Sequence, residues 1–551
     1  MLGKLSRLTM GLLVGLLMAG SALAAPSVVT LGGGDVSDDP VAACGDLAAS
    51  PWEAGRDGRG LEDDQIFIDG AITACEAALA ADPQSAEAQT WLARVYFLAG
   101  RRDDADTLLR QASDAGNPLA AYLLARLAGG DTTYLQQAAD GGFAPAQSDL
   151  AERYELGNGV TGDYAEAQRL YQLASDQGFG FATYKLGLFE QYGYLAAADY
   201  GRAMDLYQAA ADAGEPLGNF GIGQLYEFGQ GVDQDYAKAA EHYQLAADKG
   251  EKMAQTGLAY FYEQGLGVTQ DYDKSFALLV SASAQDWGFA HAALSIHYLF
   301  GEGTAVDEAK AYDLAWRAQR LGIVYAEGIL GYMFQNGLGT VRDLSSALFH
   351  YRDGANGGDQ YSADQIPTVE AEIACQDAAG SPYEPGGVGH GKAFLDIDAD
   401  AAISACENAV NANPNPVGNK VWLARAYARA ERFEDAVPLL EQGVAAGNVL
   451  AHTVLADLLM TGSGIERDSQ RALELYNVVA KDFGLAQYTL GLLYAEGHEV
   501  PQDRDEALRW LRLAQSFGVA EADAEIAALM SEGGEGEEID LTGFGREGPT
   551  Y

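Results

Sequence analysis

The apolar positions of the chain recur every 36 residues. Stepping from Ala146 gives Ala146, Ala182, Gly218, Ala254, Ala290 and Ala326, and stepping from Leu150 gives Leu150, Leu186, Ile222, Leu258, Leu294 and Leu330. Ala146, Leu150 and Tyr154 stand at i, i+4 and i+8, the spacing of one helix face. Gly157 and Gly159 end that helix and admit positive φ in the loop. Gly157 recurs at Gly193, Gly229, Gly265, Gly301 and Gly337. Asp163, Asp199, Asp235, Asp271, Asp307 and Asp343 are placed to cap a second helix, whose buried stripe in the first unit is Ala167, Tyr171 and Ala174. One such helix pair cannot bury its apolar face alone, whereas stacked pairs share a continuous core. The pattern predicts an all-α fold, a right-handed α-solenoid (superhelix) of stacked helix-turn-helix repeats.

Six units keep this register without insertion. A shortened unit, Ala120 to Gly142, precedes them, and two more follow at Ala451-Leu455-Gly462-Asp468 and Ala486-Leu490-Gly497-Asp503. A second periodicity, of 331 residues, overlies the first. Ser50-Pro51-Trp52-Glu53 matches Ser381-Pro382-Tyr383-Glu384, Ala71 to Glu76 matches Ala402 to Glu407, and Trp91 to Arg94 matches Trp422 to Arg425. One module is therefore duplicated. Its cysteines, Cys44 and Cys75 in one copy and Cys375 and Cys406 in the other, are 31 residues apart each time. Four cysteines allow three pairings, and the duplication favours Cys44–Cys75 and Cys375–Cys406. Each bridge would contribute roughly 3–4 kcal/mol in the chain-entropy picture. No C-x-x-C and no His beside a Cys supports a redox or catalytic thiol.

The repeat A-x3-L-G/A-x2-Y-x2-G-x-G-V-x3-D-x3-A-x3-Y-x2-A-x3-G resembles the Sel-one-like repeat, a relative of the tetratricopeptide repeat, most closely from Gly218 to Gly250. Residues 71–115 and 402–446 are similar to a looser tetratricopeptide unit. The resemblance implies a scaffold or adaptor whose helices offer a concave surface to a peptide or protein partner. The chain differs from the secreted cysteine-rich members in carrying its Cys only in the two modules that precede repeats.

The N-terminus predicts export. Lys4 and Arg7 precede an apolar run, Met10 to Ala19, that is too short to span a bilayer. Ala22-Leu23-Ala24 then satisfies the small-residue cleavage rule, so 1–24 reads as a signal peptide and Ala25 as the mature start. A periplasmic or secreted location with no membrane anchor follows, in agreement with the cysteines. The expected plan is a linker over 25–41, the disulfide-tied module over 42–115, repeats over 116–360, a linker over 361–374, the second module over 375–446, repeats with a closing helix (Glu521 to Met530) over 447–530, and a Gly/Glu-rich disordered tail over 531–551.

Composition narrows the partner. The 551 residues are 48% hydrophobic, with 80 Asp+Glu against 34 Lys+Arg and a net charge of −46. That balance opposes nucleic acid and anionic membranes. Because Ala, Leu, Gly and Tyr take the buried positions, nearly all the acids must lie on loops and solvent faces, which favours a basic or cation-bridged partner.

Motifs for chemistry are sparse. Gly157-Asn158-Gly159-Val160-Thr161-Gly162 fits G-x-G-x-x-G, yet a helix precedes it and the loop recurs, so it reads as repeat loop. Asp396 to Glu407 resembles a calcium loop, but Ala401 stands where the turn needs Gly, and Asp398 or Asp400 reads better as a helix cap. None of the seven His forms H-E-x-x-H, and S-x-x-K and G-x-S-x-G are absent. No enzyme, metal or cofactor is expected. Tyr184, Phe220, Gln224, Tyr260, Glu263 and Tyr332 occupy the other face of the first helices. If that face is concave they make an aromatic groove with an acidic rim; otherwise they pack against neighbouring repeats. The expected function is partner binding by an exported scaffold or periplasmic regulator. The alternatives are a glycan- or peptidoglycan-binding protein and a cell-wall hydrolase.

Overall fold

A computed structural model of the chain describes residues 39–53, 60–384 and 390–532. They contain 27 α-helices, two short 3-10 turns and no strand. The fold class is that predicted, an all-α solenoid of tandem helix pairs. The signal peptide, most of the 25–41 linker and residues 533–551 of the tail lie outside the described residues. The predicted closing helix is present as Glu521–Glu532. Two compact units are distinguished. One runs to Ala290 and takes in Glu302–Thr304; the other comprises His291–Gly301 and the chain from Ala305.

In the first unit the leading helices of the full repeats are Ala144–Leu156, Gly180–Tyr192, Pro216–Phe228 and Lys252–Gln264. Each ends on a left-handed glycine, Gly157, Gly193, Gly229 or Gly265, with φ of 66, 65, 64 and 68°. The second helices are Tyr164–Ser175, Tyr200–Asp212, Tyr236–Ala247 and Tyr272–Ser283. Asp163, Asp199, Asp235 and Asp271 cap them, each accepting from backbone N–H groups of the first turn. The second unit repeats both devices, with Gly337, Gly462 and Gly497 ending helices and Asp307, Asp343, Asp468 and Asp503 starting them.

The second loop glycine does a different job. A Cβ on Gly267 (φ +66°) would lie 2.3 Å from the Tyr236 carbonyl carbon and 2.4 Å from the Ala237 nitrogen. On Gly303 it would lie 2.2 Å from the Tyr272 oxygen, and on Gly339, in the second unit, 2.3 Å from the Glu308 oxygen. The loop of one repeat thus closes on the first turn of the second helix of the repeat before it.

In five of the second helices a tyrosine fills the remaining space, where Leu279, Ala315 and Leu511 stand in three more. Tyr171, Tyr207, Tyr243, Tyr351 and Tyr476 are fully buried. The approach requires a small residue opposite: a Cβ on Gly187 would sit 2.4 Å from the Tyr207 ring, and one on Gly223 would sit 2.5 Å from that of Tyr243. A buried hydroxyl needs a partner, and each finds one on the leading helix. Tyr171 donates to Glu155 (2.7 Å), Tyr207 to Gln191, Tyr243 to Glu227, Tyr351 to Gln335 (2.9 Å) and Tyr476 to Asp457 (2.5 Å). Glu155 also meets the buried Lys185 ammonium at 2.9 Å. Glu227 has no such cation among the described residues, and burial pushes its carboxyl up to about 7.

The duplicated modules carry the bridges Cys44–Cys75 and Cys375–Cys406, the pairing favoured by the duplication. The match extends to side-chain bonds. Glu53 accepts from the Ser50 N–H and from Trp91 Nε1 (2.9 Å), as Glu384 does from Ser381 and Trp422 Nε1 (2.9 Å). Arg94 donates to the carbonyls of Ala48 and Leu61, as Arg425 does to those of Ala379 and Lys392. Asp398 caps Ala399–Ala412 by accepting from the Ala401 N–H, the role read from its position.

One expectation is corrected. The stretch 361–374, read as a linker, lies inside the 20-residue helix Gln360–Ala379, in which Pro367 is accommodated and which Asp359 caps. Burial overrides the break: Glu372, fully buried, accepts from Asn413 Nδ2 (2.6 Å), Asn419 Nδ2 (3.1 Å), Arg342 Nη2 (3.3 Å) and Gln335 Nε2 (3.3 Å).

Two outcomes follow for denaturation experiments. Gly267→Ala should destabilise by about 2 kcal/mol or more, since strain and a backbone clash combine. Gly250→Ala, at φ +85° with nothing within 4 Å, should lose only about 1 kcal/mol. For Glu227 the folded-state pKa lies above the unfolded one, so its stabilising contribution is complete below the unfolded value and is lost as pH rises through about 7. Glu227→Gln keeps an acceptor for Tyr243, as Gln191 and Gln335 do for their tyrosines. The variant should match the native chain near pH 4.5 and exceed it by up to about 3 kcal/mol at pH 8. Urea midpoints across that range would show it.

Candidate binding groove

The first unit encloses a groove of about 400 Å³ where its module faces the starts of three successive leading helices. The Ser-Pro-Trp-Glu turn, held by the Glu53 bonds, supplies Trp52, whose ring stands edge-on to Phe179 at 4.9 Å. Phe179 and Glu215 are the N-cap residues of Gly180–Tyr192 and Pro216–Phe228, and Phe181 follows in the first turn. Pro118–Leu127 contributes Tyr122, whose hydroxyl donates to Asp149 at 2.9 Å, and Arg126.

The charges are unevenly matched. Asp63 takes both cations, Arg94 at 2.7 Å and Arg126 at 3.2 Å. Arg94 is buried and donates to Asp63 and two carbonyls. Glu62 and Glu215 line the same groove and carry no ion pair among the described residues. Desolvation raises the pKa of each above the ordinary carboxylate value. It also pushes Asp149 up to about 6, and in the second unit Asp457 to about 6. Burial, not a facing acid, is the largest cause in every case, and each of these last two accepts from a tyrosine.

The side chains singled out from sequence fall elsewhere. Tyr184, Phe220 and Gln224 are 2, 3 and 3% exposed. Tyr184 packs 5.6 Å from the Tyr207 ring, and Phe220 stacks on Tyr243 at 5.5 Å. These three are therefore core, not groove, and Tyr184 and Phe220 face the buried tyrosines of the second helices. Tyr260 and Tyr332 are half-buried, beside Phe261 and Phe300 respectively, and Glu263 accepts from the Ser275 hydroxyl at 3.0 Å. Tyr332 belongs to the second unit. Sequence reasoning missed Trp52, Phe179 and Glu215. Trp52 lay in the duplicated Ser-Pro-aromatic-Glu motif, which marked the turn without marking what it faces. Also unforeseen is an exposed ring stack, Tyr164 on Tyr194 at 5.3 Å with Tyr192 beyond, at the loop where Leu195 replaces the second glycine.

The second module keeps the architecture and changes the charges. Phe394 stands where the first copy has Asp63, and Asp457 where it has Arg126. Arg425 lies over the Phe394 ring, and burial pushes its guanidinium down to about 10. Tyr383, in the place of Trp52, donates to Glu521 on the closing helix.

Asp63→Ala should leave Arg94 buried without its carboxylate and cost about 3 kcal/mol or more. Arg126→Ala, removing a cation that is 40% exposed, should cost less than about 1 kcal/mol. Denaturant titration of the two variants separates them.

Known repeat families agree with this architecture. The Sel1 repeat matches residues 144–179, 180–215, 216–251, 252–287, 288–318, 324–359, 449–477 and 484–514. The tetratricopeptide repeat matches residues 68–127 and 394–458. No curated protein matches the chain. Among solved structures it is similar to a protective antigen of uropathogenic Escherichia coli strains displaying an SLR fold, at 25% identity over 84% of this chain and 90% of that one, with a TM-score of 0.38. It is similar also to a Sel1 repeat protein from Oxalobacter formigenes, at 26% identity over 54% and 90%, again with a TM-score of 0.38. With Sel1 and tetratricopeptide repeats matched in tandem, the chain belongs to the Sel1-repeat proteins of the tetratricopeptide-like superfamily, which are typically non-enzymatic scaffolds for protein interaction.

Proposed function

We propose that the chain is an exported scaffold that holds a protein or peptide partner in the groove of its first unit. The observation that carries this reading is the groove itself, a concavity lined by Trp52, Tyr122, Phe179 and Phe181 together with the carboxylates Glu62, Asp63 and Glu215. Aromatic walls with a few polar groups are what a peptide-binding site requires. Two disulfides favour an oxidising, exported setting, and no described helix is long and apolar enough to cross a membrane. A periplasmic regulatory role would use the same surface. A glycan ligand is the second reading. The exposed Tyr164–Tyr194 stack favours it, since flat amphipathic rings can lie against a sugar face and keep their hydroxyls in water.

Photo-crosslinking separates these. A photoreactive residue replacing Tyr122 should trap a protein partner in the native cell envelope, while one replacing the outward-facing Phe349, 62% exposed, should not. Sedimentation of the purified chain with cell-wall material, without any protein adduct at position 122, would overturn the scaffold reading in favour of the glycan one.

A further inference from the structure

The groove has more negative charge than it uses. Its described cations are Arg94 and Arg126, and both are engaged by the single carboxylate of Asp63. Glu62 comes from the turn before the 3-10 segment Asp63–Gln65 and makes its capping bonds there. Glu215 comes from the start of Pro216–Phe228 and spends one oxygen on the Leu217 N–H. Neither forms a close ion pair with a described Lys or Arg, although Arg94 acts on Glu62 and Lys249 on Glu215 from farther away, and both are drawn partly out of water. A carboxylate held in that state gains from an incoming cation. Trp52, Tyr122, Phe179 and Phe181 line the same groove, and aromatic faces attract a cation electrostatically. A carboxylate pair with an aromatic lining is the complement of a guanidinium or ammonium on an aliphatic stem, which buries its methylenes and presents its charge.

Resting on the scaffold reading above, we propose that the groove seats a basic side chain, arginine above all, of an extended peptide segment, with the cation held by Glu62 and Glu215 and the stem against Trp52 and Phe179. Arginine is favoured over lysine because its planar guanidinium stacks on rings and bonds two carboxylates at once. Asp63 offsets only one of Arg94 and Arg126, so the lining carboxylates Glu62, Asp63 and Glu215 exceed its guanidinium groups by a single charge, which one incoming cation would balance.

The diffuse attraction of a chain of net charge −46 must be separated from a site. The full chain would be titrated, at about 0.15 M salt where long-range attraction is screened, with a fluorescein-labelled decapeptide of alternating Arg and Ala. The same peptide with citrulline for Arg, of equal shape and no charge, serves as the ligand control. Fluorescence anisotropy should show the arginine peptide binding at least about tenfold more tightly than the citrulline peptide. The double variant Glu62→Gln/Glu215→Gln should lose at least about tenfold, and Glu241→Gln/Glu434→Gln, which removes the same charge from exposed sites, should change less than about twofold. Equal losses in the two double variants, or equal binding of the citrulline peptide by the native chain, would overturn the proposal. The peptide comparison needs no variant and stands even if the groove substitutions unfold the module. A protein trapped at position 122 through a segment without Arg or Lys would sink this proposal and leave the scaffold reading intact. Arginine-peptide binding with no trapped protein would do the reverse.

Discussion

Close approach of backbone to backbone between successive repeats is the constraint on which the rest depends. At Gly267, Gly303 and Gly339 the second loop glycine lies so near the first turn of the preceding repeat's second helix that no side chain fits between them, whereas Leu195 and Glu499 take its place in two other repeats. That contact fixes the step from one helix pair to the next. The gap between leading and second helices is filled in five repeats by a tyrosine ring lying on a glycine or alanine. The buried hydroxyl then needs an acceptor on the leading helix, and the chain alternates Glu, Gln and Asp in that role. Sequence period, packing distance and buried polar chemistry are one requirement seen at three scales.

Much of the fold was legible because it is made of local signals at fixed spacing. Asp163 and Gly157 are a cap and a stop wherever they recur, and neither depends on distant residues. The disulfide pairing was legible for a different reason, since duplication supplies an internal comparison that a single module lacks. The linker expected over 361–374 was misread because Pro367 and the lost register signal a break locally. The helix persists through Glu372, whose partners Arg342, Asn413 and Asn419 come from three other segments.

The groove was less legible than the fold. Its walls join residues near 50 to residues near 215, and nothing in the spacing of Trp52 and Glu215 says that they face the same space. The reading of Tyr184, Phe220 and Gln224 as a binding face failed for the complementary reason. An aromatic residue on the second face of a helix looks available in sequence, and only the ring of Tyr207 or Tyr243 filling the space beside it shows otherwise.

The duplicated modules are alike in their skeleton and unlike in their lining. Cystine, Trp–Glu and Arg–carbonyl bonds are preserved, whereas the Asp63–Arg126 pair has become Phe394 and Asp457. Drift of this kind is what inheritance leaves when the framework is held and the surface is released. Each module also opens its own run of repeats, so the number of repeats in one run can change by whole units without disturbing the start of the other. The chain is in that sense two extensible rulers with separate origins, free to acquire different lengths and different occupants.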